Sequence, residues 1–371
     1  MTQIRMAVIG VGHLGKEHAR VLSSMPDVKL VGVVDVDIQH ARVIAERCSN
    51  KENSVQAFDN HEPLLDQVDA VSIAAPTLYH HKIARAFLKR SVPVLVEKPI
   101  TTTLAQAQEL VEIARANDTP LQVGHIERYN PAFLELIRRP ITPKLIESER
   151  HGPFTGRSTD IGVVLDLMIH DLDLILSLVR SPATNVYAAG ISVFGGHEDI
   201  VNARISFANG CMANITASRV SPVPKRKLRI WAPEGYAGID FVEKRLNLVQ
   251  PSDEVRRHGL SNLHLDRSRR EQLKADVFGK HMEHLELFCE APHDQLTAEL
   301  SDFVACVREN RETRVTGQDG LDALSLADRI LASVQRHPWN GVEDGPVGPK
   351  EMPAPKGKLF ESEYEEGREA A

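Results

Sequence analysis

The chain has 371 residues, enough for two domains with cores of their own, and 42% of them are hydrophobic and 26% charged. A formal net charge of −7 argues against a nucleic-acid-binding surface. No uninterrupted apolar run approaches the ~20 residues of a membrane span, and four scattered cysteines without CxxC spacing suit free thiols in a reducing cytoplasm.

Residues 6–9 (Met6-Ala7-Val8-Ile9) form a buried-strand run, followed at once by Gly10-Val11-Gly12-His13-Leu14-Gly15 and a helical pattern over 16–24. A GxGxxG between strand and helix is the dinucleotide fingerprint. Two glycines let the backbone approach a pyrophosphate, the third lets helix pack on strand, and the helix amino terminus offers N–H donors. Gly10, Gly12, His13, Leu14 and Gly15 are therefore cofactor-binding candidates. A second strand, 30–34, ends at Asp35, twenty residues after Gly15, where a carboxylate accepts the ribose hydroxyls and repels a 2′-phosphate. NAD is favoured over NADP. Asp37 is the alternative acid.

A helix over 38–48 and a strand over 70–75 follow, broken by Pro76-Thr77 before a helix that runs to 88. Pro76 and Thr77 belong to the carboxyl rim that holds the cofactor. His80 either touches ribose or serves as a structural helix-start histidine. Residues 94–96 form the next strand and end in Glu97-Lys98-Pro99; the proline forces a turn and keeps Lys98 extended at the ligand rim. Thr101 or Thr102 caps a helix to 116, and 121–124 is a further strand. Strands alternating with helices predict a doubly wound parallel sheet over residues 1–124.

After Gly124 the chain changes character. His125-Ile126-Glu127-Arg128-Tyr129-Asn130-Pro131 is dense in hydrogen-bonding groups and is expected to close over the reactive face of the cofactor. Residues 162–176 read as an apolar helix in which Asp166 and His170, four apart, share a face that Asp173 extends. Such groups either satisfy each other or line a cavity. The Asp166 carboxylate is expected to orient the His170 imidazole and raise its basicity for proton transfer. Alternating runs at 187–194, 200–207, 212–218, 227–231, 236–241 and 245–249 predict a mostly antiparallel sheet with that helix on one face. Trp231 and Phe241 make the other face a candidate oligomer surface, with plain solvent exposure as the alternative. Residues 251–280 form a charge-rich excursion in which His281 and His284 follow without metalloprotease spacing, so no metal is expected. Helices at 296–309 and 321–334 complete a second domain spanning 125–336, and 337–371 reads as a flexible Pro/Gly-rich acidic tail.

With Gly10-x-Gly12-x-x-Gly15, Glu97-Lys98-Pro99 and Asp166-x-x-x-His170 in this order, the chain resembles the glucose-fructose oxidoreductase / inositol dehydrogenase (Gfo/Idh/MocA) family over residues 4 to 335. The resemblance implies a Rossmann domain followed by an α+β domain whose open, mostly antiparallel sheet forms a homodimer or homotetramer. It also implies NAD at the cleft, with Glu97 and Lys98 beside it and Lys98, Asp166 and His170 around the substrate carbon. Residues 124–131 and 168–174 are similar to a branch acting on nucleotide sugars, which includes the UDP-N-acetylglucosamine 3-dehydrogenases of lipid A biosynthesis. Arg128, Tyr129, Asn130 and Asp173 are then substrate-binding candidates. Met168 stands where many family members have a small residue and is expected to reshape the pocket. The implied reaction is oxidation of a sugar ring hydroxyl, with either Lys98 or His170 as base. A glycosidase with transient redox chemistry and a non-catalytic NAD sensor are the alternatives on this scaffold.

Overall fold

The computed structural model describes residues 3–353 apart from 52, 155, 157–160, 261–265 and 341–344. Its first half alternates β1 (Ile4–Ile9), α1 (Gly15–Ser24), β2 (Val28–Val34), α2 (Ile38–Cys48), β3 (Gln56–Phe58), β4 (Ala70–Ile73), α3 (Thr77–Leu88), β5 (Val94–Glu97), α4 (Leu104–Ala116) and β6 (Leu121–Gly124). These strands make one parallel sheet in the order β3-β2-β1-β4-β5-β6, the doubly wound arrangement whose ligand crevice lies at the strands' carboxyl ends. The three-residue β3 carries too little pattern to be seen in the sequence. The cap of α4 is Thr103, whose side chain accepts from the Gln106 N–H; Thr101 instead donates to the Thr103 carbonyl.

The glycines of the first loop differ in what they permit. Gly10 has φ +84°, and a Cβ there would lie 2.6 Å from Ala75 Cα. A Cβ on Gly15 would fall 1.8 Å from the Gly10 carbonyl oxygen, whereas one on Gly12 would meet nothing within 4 Å. The fold itself therefore needs Gly10 and Gly15 but not Gly12.

The second half holds a short α5 (Pro131–Leu136), β7 (Leu145–His151), a π-helical turn at Val164–Met168, α6 (Ile169–Val179) and strands β8 (Ala183–Ile191), β9 (Ile200–Phe207), β10 (Met212–Ser218), β11 (Lys225–Ala232), β12 (Gly235–Asp240) and β13 (Arg245–Pro251). The charged segment folds into α7 (Asp253–His258) and α8 (Arg267–Asp276), and the chain re-enters the sheet as β14 (Met282–Phe288). The sheet order is β14-β13-β12-β11-β7-β10-β9-β8; only β7 and β10 run parallel. Strand β7, which links the two halves of this sheet, has no apolar alternation because its inward positions are Ile146, Ser148 and Arg150. Helix α6 covers the inner face through Leu172, Ile175 and Val179. Phe241 is buried in that same core, which corrects its expected place on the outer face. The outer face carries ion-paired ladders such as Lys225–Glu149, Arg229–Glu147 and Lys227–Asp240.

Two further helices, α9 (Gln295–Glu309) and α10 (Gly317–Gln335), return to the first half. Leu296, Leu300, Phe303 and Val304 of α9 pack with Val8, Leu22 and Leu30, and Val315 and Leu324 join the core around Val123. A boundary at Gly124 therefore does not separate the cores: the chain closes back over its own first sheet. Residues beyond 337, expected to be flexible, are held where described. Trp339 Nε1 donates to the Gly348 carbonyl at 2.7 Å, and Ser192 N–H donates to the Pro349 carbonyl. The rest of the expected tail, 354–371, lies outside the described residues.

Helix α9 also buries a carboxyl. Glu299 is fully enclosed with no hydrogen-bond partner for either oxygen. Burial, reinforced by Glu97, Asp302 and Asp173, pushes it well above the usual carboxylate range. The neutral form is the one the fold favours, so its contribution to stability is present in acid and is lost as pH rises through the raised value.

Two outcomes are expected. Gly15→Ala lowers thermal stability and cofactor affinity together, whereas Gly12→Ala leaves stability within about 0.5 kcal/mol and weakens NAD binding alone, as calorimetry and NAD titration would reveal. Glu299→Gln raises the melting temperature at pH 8 by a few degrees and leaves it unchanged at pH 4; equal effects at both pH values would contradict a neutral buried acid.

Candidate active site

The carboxyl rim of the parallel sheet collects the sequence-predicted cofactor residues. Gly12, His13 and Leu14 are exposed at the start of α1, the helix terminus that would receive a pyrophosphate. Asp35 follows β2 and braces this loop: its Oδ2 accepts from Val11 N–H and its Oδ1 from Asp37 N–H, both at 3.1 Å. Asp37 instead caps α2 by accepting from Gln39 and His40 N–H. The open space over Gly12 and the half-exposed Asp35 carboxylate fit an NAD adenosine and pyrophosphate. Pro76 is exposed and Thr77 half-buried where α3 begins. His80 is buried, with Nε2 2.7 Å from the Ala75 carbonyl and Nδ1 3.0 Å from the Pro99 carbonyl. It ties the β4 and β5 turns together, the structural one of its two readings. Burial lowers its pKa against the pull of those carbonyls.

Glu97 is buried against Gly124, where any Cβ would come within 2.7 Å of its Oε1. That oxygen lies 3.2 Å from His18 Nε2 on α1, although the approach lacks hydrogen-bond alignment; His18 Nδ1 meets Ser72 Oγ at 2.7 Å. Glu97 thus lies beneath the rim and joins the glycine-loop helix to the strand that carries Lys98. The next residue turns the other way. Lys98 Nζ crosses to the second half of the molecule and donates to the Asp166 main-chain carbonyl at 2.6 Å, with Asp166 Oδ1 at 3.4 Å.

This contact alters the expected partnership on the helix. Asp166 lies in the π-helical turn, whose wider winding departs from the i, i+4 stacking of an α-helix. Its carboxylate faces Lys98, not His170. His170, in the first turn of α6, has a buried Nδ1 with no partner, which leaves Nε2 as the nitrogen with access to the cleft. Its pKa is lowered well below the ordinary histidine value, by burial first and then by Lys98, Arg150, His125 and Arg226. The expectation that a carboxylate raises its basicity is therefore corrected: neutral at physiological pH, the ring is ready to accept a proton. Met168 does not reshape the pocket either, because its side chain is fully buried in the second core.

The polar segment after Gly124 is occupied mainly with its own architecture. Arg128 makes a two-pronged ion pair with Asp173, at 2.6 and 2.8 Å, and reaches Asp319 at 3.3 Å. Tyr129 donates to Asp302. Asn130 caps α5 and donates to the Phe241 carbonyl. Glu127 pairs with Arg150, which also grips Asp171 at 2.8 and 3.1 Å; burial pushes Glu127 up, but the Arg150 guanidinium outweighs it and holds the carboxylate charged. Each of the four predicted substrate residues thus has an intramolecular partner, and Asp173 lies on α6 itself, where Arg128 bonds to it. Sequence reasoning missed Arg150, His18 and Glu299. Arg150 hides in a strand without apolar alternation, and the other two carry no local motif.

Comparisons with known proteins identify the family of both halves. Residues 4–125 match the model of the Gfo/Idh/MocA oxidoreductase family with its NAD-binding Rossmann fold, and residues 139–237 match the family's C-terminal domain. A UDP-N-acetylglucosamine 3-dehydrogenase of Acidithiobacillus ferrooxidans is 33% identical over 90% of this chain and 98% of its own length. A solved structure of that enzyme superposes with a TM-score of 0.77 at 31% identity, covering 90% and 98% of the two chains. An inositol 2-dehydrogenase of Rhizobium meliloti is 24% identical over 89% and 97%. A levoglucosan dehydrogenase complex with NADH, at 17% identity, 90% and 97% coverage and TM-score 0.73, shares the fold. On a parallel sheet with its glycine loop, a lysine at the β5 rim and a histidine on the facing helix, this chain belongs to the Gfo/Idh/MocA family of NAD-binding oxidoreductases.

Proposed function

We propose that this protein oxidises a ring hydroxyl of a nucleotide sugar to a ketone, or runs the reverse, in the manner of a UDP-N-acetylglucosamine 3-dehydrogenase. The single observation that carries the reading is the contact of Lys98 Nζ with Asp166, which sets a cation beside a neutral imidazole at the cofactor rim. The 33% identity to the Acidithiobacillus enzyme along nearly the whole chain supports the substrate class.

Gly10, Gly12, His13, Leu14, Gly15, Asp35, Pro76 and Thr77 hold NAD, which supplies the hydride acceptor when bound. Both contacts of Lys98 are to acceptors on Asp166, so two of its N–H donors are used there and the third is left to act as the electrophile. It donates to the substrate oxygen and stabilises alkoxide charge as that charge develops. His170 Nε2 takes the hydroxyl proton. The buried Arg128–Asp173 pair keeps α6 in register with the turn after β6, so these two residues bound the sugar pocket while Tyr129 and Asn130 brace its wall. Copies associate through the outer face of the second sheet, where the Trp231 and Tyr236 rings meet at a tilt, centroids 5.5 Å apart, among ion-paired neighbours. Among the described residues no helix is long and apolar enough to cross a membrane. The reading includes a cytoplasmic enzyme whose keto product serves lipid A biosynthesis.

The test is a screen of UDP-sugars with NAD, followed by the absorbance of the reduced cofactor. UDP-N-acetylglucosamine is expected to respond; silence from it with response from another sugar removes the substrate choice. Lys98→Ala and His170→Ala each lower turnover at least ~10²-fold while NAD binding stays near normal. In the oxidative direction the acid limb of kcat/KM falls below pH ~6.5, the ordinary histidine value, because burial and neighbouring cations favour the neutral ring.

A further inference from the structure

A histidine that accepts a proton at Nε2 must, while neutral, carry its own proton at Nδ1. In His170 that nitrogen is buried and has no partner. A buried N–H without an acceptor costs about 1–3 kcal/mol, and it would tip the ring toward the opposite tautomer, with its proton on the nitrogen that must be free. The carboxylate one turn away cannot help, because Asp166 is engaged with Lys98.

One side chain stands in the right place. His125 follows β6, where its N–H donates back to the Val123 carbonyl at 2.8 Å and turns the chain inward. The ring is 1% exposed, and both of its nitrogens are buried without a partner. It meets the His170 ring edge-to-face, with centroids 6.2 Å apart and planes at 87°. One N–H···N bond between the buried His125 ring and the half-buried His170 ring would satisfy two of these three nitrogens, and a rotation that closes the gap between the rings would form it.

We propose that His125 is a positioning residue for the reaction: it accepts the Nδ1 proton of His170, fixes that ring in the tautomer whose Nε2 faces substrate, and shares the positive charge when the proton arrives. This rests on the dehydrogenase reading of the site. The groups facing His170 are Lys98 from the β5 end, Arg150 from β7, Arg226 from β11 and His125 itself. All of them disfavour a second charge. The groups facing His125 are Asp173 from α6, Arg128, Lys98 and Glu97. Burial lowers its pKa, and Asp173 is the largest opposing influence. His125 is therefore a neutral acceptor at rest, and the carboxylate at its back favours sharing the charge during turnover.

The tautomer can be read without turnover. Long-range proton–nitrogen correlation spectra of 15N-histidine-labelled protein, assigned against His170→Asn, are expected to find the neutral His170 proton on Nδ1. In His125→Leu, or in His125→Ala if leucine does not fold, that form gives way to the Nε2–H form; in His125→Asn, which keeps an acceptor oxygen, it is retained. A wild-type proton on Nε2, or an unchanged tautomer in the leucine or alanine variant, overturns the proposal. In turnover with UDP-N-acetylglucosamine and NAD, His125→Leu lowers kcat ~10-fold or more. Its KM stays within about twofold, its acid limb moves to lower pH, and His125→Asn recovers most of the loss. Wild-type kcat in His125→Leu also overturns it. If the wild-type enzyme forms no reduced cofactor from any UDP-sugar, the substrate reading fails and the tautomer spectra alone decide this proposal.

Discussion

The site depends on one polar contact between the two halves of the chain, the Lys98 ammonium on the Asp166 carbonyl. Strand β5 ends at Glu97 and the π-helical turn begins at Val164, so this bond spans elements that share no local sequence. It brings a donor from the cofactor sheet to the helix that carries His170. The Asp166 carboxylate also turns to Lys98, with Oδ1 3.4 Å from Nζ, so His170 is not an aspartate-oriented histidine. The two groups therefore divide the work by environment: the lysine meets acceptors, and the imidazole meets burial and cations.

The second half of the chain also buries several charges in ion pairs. Arg150 with Glu127 and Asp171, Arg128 with Asp173, and Arg219 with Asp199 are all largely removed from water. Desolvation makes such pairs poor net stabilisers, yet losing one partner costs about 3–5 kcal/mol because the other charge is stranded. Their effect is directional. Arg150 joins β7 to α6 and to the turn after β6, and Arg128 joins that turn to α6 a second time. The helix bearing His170 is thus held on both sides by bonds that tolerate little displacement, the kind of rigidity that precise placement of side chains requires. The hydrogen-bonding density of residues 125–131 has this architectural explanation.

Several of the buried polar atoms that lack a partner lie close to these elements. His125, His170 Nδ1, Gln122 Oε1 and both Glu299 oxygens are buried without partners, on or beside the elements that meet below the cofactor rim. Native interiors satisfy most such groups, and unsatisfied ones concentrate where a protein performs chemistry. Burial pushes the Glu299 carboxyl and both histidines toward their neutral forms, amid the charges of Lys98, Glu97 and the Arg150 and Arg128 ion pairs.

Much of this was legible in the sequence because it is local. A strand, a glycine loop and a helix in succession specify a pyrophosphate cradle through backbone geometry alone, and the parallel first sheet follows from alternation. The strands at 200–207 and 212–218 are likewise visible because one face is apolar. What escaped was whatever depends on residues far apart in the chain. Strand β7 is disguised by Arg150, whose burial makes sense only once Glu127 and Asp171 surround it. Helix α9 belongs to the first core although it follows the second, and Phe241 turns inward because β12 ends beneath α5. The four-residue spacing of Asp166 and His170 suggested a dyad that the π-helical turn dissolves. The sequence by itself determined the element types, the cofactor loop and the identities of the lysine and histidine, since each is written in short-range pattern. Only the tertiary structure decided which acceptor the lysine meets and which neighbour the imidazole keeps, because a side chain's partners depend on electrostatics and burial summed over segments that meet only in the folded chain.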